Sequence, residues 1–169
     1  FLIEEPVAAS IGAGLAIDEP RGAMVVDIGG GTTDIAVLSR GDVVQARSLK
    51  VAGNAMDEAI MRYVRRRHQL LIGEGNAERI KIEAGSALRE VNGHDAEIHL
   101  KGRDLRLGRL KSVVLTPGDI AEALADPSAT ISYFNVNYRA YQDVGTRDDT
   151  NQEIRLNGAG FLRLPKETT

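Results

Sequence analysis

The sequence predicts an α/β fold. Residues 23–28 (Ala-Met-Val-Val-Asp-Ile) form a near-continuous apolar run, the mark of a strand buried on both faces. Two further strand-like segments follow at once, so one β-meander occupies residues 23–51. Beyond it the apolar period changes to that of helices, at Met56, Ala59, Ile60, Tyr63 and Val64 and again at Ala77, Ile80, Ala84, Ala87 and Leu88.

Taken in order, Phe1-Leu2-Ile3 reads as the end of a buried strand, and a chain opening on it without Met is expected to begin inside a longer protein. Pro6 suits the first turn of a helix, where its missing N–H costs nothing. That helix is expected to reach about Ala16, although Gly12 and Gly14 weaken it. After the 23–28 strand, Gly29-Gly30-Gly31 makes a tight turn, residues 32–38 a strand, Arg40-Gly41-Asp42 a hairpin turn and residues 43–51 a third strand. Gly53-Asn54 stops that strand and opens a helix. Asn76 is placed to cap the next helix, and Asn92-Gly93 to end it. Ala96, Ile98 and Leu100 alternate with Asp95, Glu97 and His99 as in a half-exposed strand, and Gly102-Arg103-Asp104 is expected to turn it into a hairpin partner. Residues 113–115 are another strand. Thr116-Pro117-Gly118-Asp119 is a helix start, with a capping Thr, Pro at the first position and Asp facing the dipole; the helix carries Ile120, Ala121 and Leu124 and stops near Pro127. Residues 128–169 hold three of the four Tyr and no long amphipathic period, which sets them apart as a separate tail.

Composition narrows the function classes. The 169 residues suffice for one compact domain or two small subdomains, and a hydrophobic content of 43% supplies a core. A net charge of −3 argues against nucleic acid as the partner. Without Cys, a disulfide scaffold and thiolate metal sites are excluded, which fits a reducing cytoplasm. No apolar run approaches the ~18 residues of a membrane span. His68, His94 and His99 have no metal-ligand spacing, and Ser10 and Ser86 lack a His–Asp context for nucleophilic catalysis. Arg62, Arg65, Arg66, Arg67 and His68 read first as a solvated face favoured by the helix C-terminal dipole, with contact to a filament neighbour or to acidic lipid as the alternative.

The strongest local signal is Asp27-Ile28-Gly29-Gly30-Gly31-Thr32-Thr33-Asp34. Consecutive glycines let backbone approach a ligand and gather N–H groups into one concavity that suits phosphate oxygens. Thr32 and Thr33 add hydroxyl donors, and Asp27 at a strand end can hold Mg²⁺ through its water shell. No Lys-Ser/Thr pair follows the glycines, so this is not a P-loop. On its own the stretch could equally be a glycine-rich hairpin turn, and Glu5 a dipole-stabilising residue at a helix N-terminus. Their ordered combination changes the weighting.

That combination resembles the actin, heat-shock chaperone and sugar-kinase ATPase superfamily, whose second phosphate hairpin reads Asp-x-Gly-Gly-Gly-Thr. In the chaperone and MreB branches a Glu-Pro-x-x-Ala-Ala segment precedes it. Residues 3–15, 51–60, 71–74 and 77–83 look most like the MreB family of bacterial cell-shape filament proteins, and the resemblance is ordered from about residue 1 to 127. It implies an actin-like ATPase fold: residues 1–53 in an RNase H-like subdomain, 54–127 as an inserted small α+β subdomain, and 128–169 a divergent tail, read as a remnant of the RNase H-like subdomain. Within the tail, residues 154–162 are a loose echo of the family's adenosine loop. The family's first phosphate hairpin, from its N-terminal subdomain, has no counterpart in the sequence, and no stretch resembles its membrane-inserting segment.

By the same resemblance Glu5 orients the attacking water, Thr32 assists near the γ-phosphate, Asp27 belongs to the Mg²⁺-water shell, and Gly29, Gly30 and Gly31, with Thr32 and Thr33, cradle phosphate. Glu78, Lys81, Ile82 and Gly85 share one helix face. Spacing alone makes Glu78 and Lys81 an ordinary surface ion pair, worth at most ~0.5 kcal/mol; the resemblance makes the face a shelf for ribose and adenine. Hairpin and shelf are expected on different subdomains, across a hinge. The implied function is ATP- and Mg²⁺-dependent self-assembly into filaments at the inner face of the cell membrane, in the cytoplasm, directing the cell-wall elongation machinery. The parent would be a weak ATPase, and the chain alone inactive. A chaperone or kinase of the same superfamily is the first rival, against which the 51–60 and 71–83 stretches argue. A non-catalytic scaffold that has lost turnover is the second, and a nucleotide titration separates it.

Overall fold

The computed structural model describes residues 2–20, 22–85 and 97–131, and the backbone of 153–156 and 160–163. Leu2 and Ile3, expected in a buried strand, lie in no strand and are exposed. Helix α1 (Glu5–Gly12) is shorter than the sequence suggests. Gly14 takes φ +72°, and the amides of Gly14 and Leu15 donate to the carbonyls of Ile11 and Ser10, each at 3.0 Å. A left-handed glycine thus satisfies the last free carbonyls and ends the helix before Ala16. The meander forms as expected, from β1 (Ala23–Ile28), β2 (Thr33–Ser39) and β3 (Asp42–Leu49), all antiparallel. Arg40 and Gly41, at φ 53° and 81°, make the two-residue turn whose twist matches the flanking strands.

Helix α2 (Gly53–His68) ends at Gln69, which adopts the left-handed conformation. The two-residue strand β4 (Leu70–Leu71), which no sequence pattern announced, follows it. Helix α3 (Glu74–Ala84) starts two residues before Asn76: the Gly73 carbonyl takes the amides of Asn76 and Ala77, so Asn76 sits inside the first turn and caps nothing. The expected stop at Asn92-Gly93, with Ala87 and Leu88 of the stripe, lies outside the described residues. Strand β5 (Ile98–Asp104) runs straight through Gly102-Arg103-Asp104 instead of turning there, and pairs with β4 and with β6 (Leu110–Leu115). The reason is close approach. A Cβ on Gly102 would lie 2.5 Å from the Leu71 carbonyl oxygen, so glycine is what lets β5 lie against β4. The turn comes later, where the Asp104 carboxylate accepts the amides of Arg106 and Leu107 at 2.7 and 2.8 Å.

Helix α4 (Pro117–Ala123) starts at the anticipated Thr116 cap, and Asp119, expected to face the dipole, also reaches back to the Thr116 amide to complete a capping box. Pro127 does not end the helical region: residues 125–131 are helical, and Pro127 falls in the first turn of that stretch, where it removes no needed donor. In the tail, β7 (Glu153–Leu156) and β8 (Gly160–Arg163) form a hairpin, and β7 joins β1 in parallel at Ile28 and Leu156. The larger sheet is therefore ordered β3-β2-β1-β7-β8 and the smaller β4-β5-β6. Helix α1 covers one face of the larger sheet, setting Val7 and Ala9, with Leu15 of the segment that follows, on Val25, Ala36 and Leu38. Ile28, at the end of β1, belongs to the main core with Met56, Ile60, Val64, Ile80, Leu100 and Leu115. The end of β1 thus lies where the two halves of the fold meet.

Candidate functional site

The Gly29–Gly31 connection between β1 and β2 is built on room for backbone. None of its glycines has positive φ. An added Cβ would stand 3.3 Å from the Thr32 carbonyl oxygen at Gly29 and 3.4 Å from Asn54 Oδ1 at Gly30, and would meet nothing within 4 Å at Gly31. The turn closes through the Gly29 amide, which donates to the Thr32 carbonyl at 2.9 Å. Its carbonyls face the next helix: the amides of Gly53 and Asn54, the first two residues of α2, donate to Gly29 and Gly30 at 3.0 and 2.8 Å. Donors that a helix start leaves orphaned are satisfied by the loop, and the positive end of the α2 dipole lies against it. Gly30, Gly31 and Thr32 are exposed, and their amides meet no backbone acceptor among the described residues. Thr33 behaves differently from the expectation of a second phosphate donor. It is fully buried, and its hydroxyl donates to the Val51 carbonyl at 2.6 Å, fastening β2 to the entry of α2.

Lys81 is not the surface partner of Glu78. Its Nζ donates to Asp57 Oδ2 at 2.9 Å and to the Gly53 carbonyl at 3.3 Å, and the side chains of Lys81 and Asp57 are each only 13% exposed. A Cβ on Gly53 would be 3.3 Å from both Lys81 Nζ and the Gly29 carbonyl oxygen, so the ammonium and the glycine turn flank one position. Asp57 Oδ1 is buried and has no hydrogen-bond partner. The glycine turn, the start of α2 and the last turn of α3 are therefore joined in one hydrogen-bonded junction. Glu78 and Ile82 are exposed beside Lys81, and Gly85 ends α3 with its amide on the Lys81 carbonyl at 2.8 Å. An added Cβ at Gly85 would collide with that same carbonyl, so the end of α3 itself demands glycine there. Sequence reading missed Gly53, Asn54 and Asp57. Their signal was a Gly-Asn helix start directly after a strand, with an acidic residue one turn on.

Glu5 is exposed in the first turn of α1. Asp27 pairs with Asp34 across β1 and β2, so the two carboxylates occupy one face at the mouth of the hairpin. Val25 and Ala36 are the next pair on that face, and they lie under α1. Like charges placed opposite one another favour a cation. Among the described residues no three acidic or His side chains come together as a metal cage. A single strand-end carboxylate suits a cation that keeps its water and its phosphate ligands, as Mg²⁺ does.

A family model described as MreB/Mbl protein matches residues 1–138. The cell shape-determining protein MreB of Escherichia coli is 51% identical over 165 residues, covering 96% of this chain and 46% of that protein. The cell shape-determining protein Mbl of Bacillus cereus is 47% identical over 131 residues, 78% of this chain and 39% of that protein. Among solved structures, MreB 5 of Spiroplasma citri bound to AMPPNP superposes with a TM-score of 0.76 at 35% identity, over 81% of this chain and 40% of that one. The chain spans about half the length of the curated relatives it matches.

Proposed function

The chain belongs to the MreB/Mbl family, and on that premise we propose that it supplies one phosphate-gripping hairpin and the nucleoside-facing helix of an ATP-binding, filament-forming cell-shape protein. The observation that carries the reading is the junction at Gly53, where the glycine turn, the N-terminus of α2 and Lys81 of α3 are hydrogen-bonded to one another. The amides of Gly30, Gly31 and Thr32 receive phosphate oxygens, and the α2 dipole favours that charge. Glu78 accepts from ribose hydroxyls, Ile82 and Gly85 face the base, and Lys81 holds this shelf at a fixed distance from the turn. Asp27 holds the water shell of Mg²⁺; when bound, that cation neutralises charge on the phosphates. Glu5, assisted by Thr32, orients the attacking water. Thr33 positions the hairpin and touches no ligand.

Further parts of the reading follow from the family: self-assembly into filaments, a place in the cytoplasm at the inner face of the membrane, and a partnership with the cell-wall elongation machinery. Titration calorimetry of Mg-ATP into the chain tests the nucleotide site. Gly30→Val, which pushes a branched side chain between the turn and Asn54, should weaken binding at least tenfold, whereas Arg66→Ala on an exposed turn of α2 should leave it unchanged. The opposite ranking would place the site elsewhere. No binding by the parent chain would favour a scaffold without nucleotide. In a polypeptide that also carries the other half of the relatives' length, Glu5→Ala should preserve binding and slow phosphate release. Equal loss of both would make Glu5 structural.

A further inference from the structure

Two structural carboxylates of this fold use both of their oxygens. Asp104 takes the amides of Arg106 and Leu107 on Oδ1 and faces Lys111 Nζ with Oδ2 at 3.6 Å. Asp119 takes the Tyr63 hydroxyl on Oδ1 at 2.6 Å, and the Thr116 amide and hydroxyl on Oδ2 at 2.8 and 2.7 Å. Asp57 is different. Its Oδ2 accepts from Lys81 Nζ at 2.9 Å, while its Oδ1 is buried and has no hydrogen-bond partner. One oxygen therefore holds Lys81, and a neutral amide of the same shape would supply that oxygen equally well. What only a carboxylate adds at this place is negative charge. A buried acceptor left unsatisfied destabilises the fold, so its presence calls for a use other than bonding.

That charge lies behind the glycine turn. A Cβ on Gly53 would stand 3.3 Å from both Lys81 Nζ and the Gly29 carbonyl oxygen, and 3.6 Å from Gly30 Cα, so the ammonium and the turn flank the space of a single methyl group. An unmasked ammonium there would add to the attraction that the exposed Gly30–Thr32 turn and the positive end of α2 already exert on phosphate. Asp57 offsets it at 2.9 Å, and with both side chains 13% exposed there is little water to screen either charge. We propose that Asp57 tempers the affinity of the turn for the phosphate chain: its carboxylate masks the charge of Lys81, so that backbone amides alone grip the nucleotide and it stays exchangeable. Asp57 touches no ligand and acts through Lys81. The charge of the pair, and not only its bonding, sets how tightly a nucleoside polyphosphate binds relative to its nucleoside.

The inference rests on the proposed nucleotide site and adds the control of its affinity. It is tested by titrating Mg-ATP and adenosine into the 169-residue chain and its variants, followed by backbone amide resonances. Asp57→Asn keeps an oxygen for Lys81 and removes the negative charge. It should tighten Mg-ATP roughly five- to tenfold and leave adenosine unchanged, and the gain should shrink in high salt. Damage to the fold does not produce tighter binding, so this result separates a charge effect from a structural one. Lys81→Met leaves the carboxylate alone behind the turn, and should lower the ratio of Mg-ATP to adenosine affinity by a similar factor. The double variant, neutral like the parent pair, should bring that ratio back toward the parent's. Circular dichroism checks that each variant folds. If Asp57→Asn does not, the double variant against Lys81→Met decides: a recovered ratio supports the proposal and an unrecovered one overturns it. Unchanged or weaker Mg-ATP binding in a folded Asp57→Asn, or adenosine tightened as much as Mg-ATP, overturns the inference and leaves the nucleotide site standing. A parent chain that binds no Mg-ATP overturns the site and the inference with it.

Discussion

Replacing Lys81 tests the junction that ties the glycine turn to α3. Removing one partner of a fully buried ion pair costs about 3–5 kcal/mol, and of an exposed pair about 0–1 kcal/mol. With both side chains 13% exposed, the Lys81–Asp57 pair lies near the buried limit. Lys81→Met keeps the aliphatic stem and removes the charge. It leaves Asp57 with one oxygen that already lacks a partner and another newly deprived of one, and it also frees the Gly53 carbonyl. Discounted for residual solvent, the expected loss is about 2–3 kcal/mol. Urea denaturation at neutral pH reads it as a lower midpoint with an unchanged slope. Asp57→Asn alone should also destabilise, and the double variant should lose less than the two single losses together, a coupling of about 1–2 kcal/mol. Single losses below about 0.5 kcal/mol that simply add would refute the junction as a structural tie.

Three other outcomes follow from the same geometry. Gly102→Ala should cost about 2 kcal/mol or more in a thermal melt, since its Cβ must displace the backbone carbonyl of Leu71; an unchanged melting temperature would mean that β4 does not lie against β5. Burial, then the hydrogen bond to Asp119, pushes the Tyr63 hydroxyl up to about 12 from 10.0. Its stabilisation is therefore whole below pH 10, and a stability-against-pH curve should fall between pH 10 and 12, a fall that Tyr63→Phe removes. The backbone amides of Leu107 and Arg106 hold the Asp104 carboxyl below the usual carboxylate range, so its contribution is present at neutral pH and lost as pH drops through that lowered value. Protection factors of the amides at residues 105–109, with the intrinsic pH dependence of exchange removed, should fall there, and Asp104→Asn should lower them already at neutral pH.

The sequence told most where a local rule decided the outcome. The 23–28 strand, the Arg40-Gly41 turn and the helix start capped by Thr116 each depend on neighbours within a few residues, and each formed as expected. Gly102 was misread because glycine serves two purposes, a turn or a close approach, and only the position of β4 separates them. Pro127 was misread because a proline that ends one helix and one that begins the next look alike in sequence. In the candidate site, the order of Glu5, Asp27, the glycines and the Glu78–Lys81 face was legible from motif. The bonding was not. Lys81 finds its charge partner 24 positions away, on another helix, while Glu78 at helical spacing does not pair with it. The Thr33 hydroxyl is given to a carbonyl 18 positions away, a commitment of its donor that no spacing rule could foresee.

The account's central claim is that the glycine turn and the exposed face of α3 form one nucleotide-binding surface. Titrating Mg-ATP into isotope-labelled chain while following backbone amide resonances tests it residue by residue, even at weak affinity. The account predicts saturable shifts at Gly30, Gly31 and Thr32 together with Glu78, Ile82 and Gly85, sharing one dissociation constant and lost together in Gly30→Val. Shifts confined to the basic hairpin at residues 101–111, or separate constants for the turn and for α3, would contradict it.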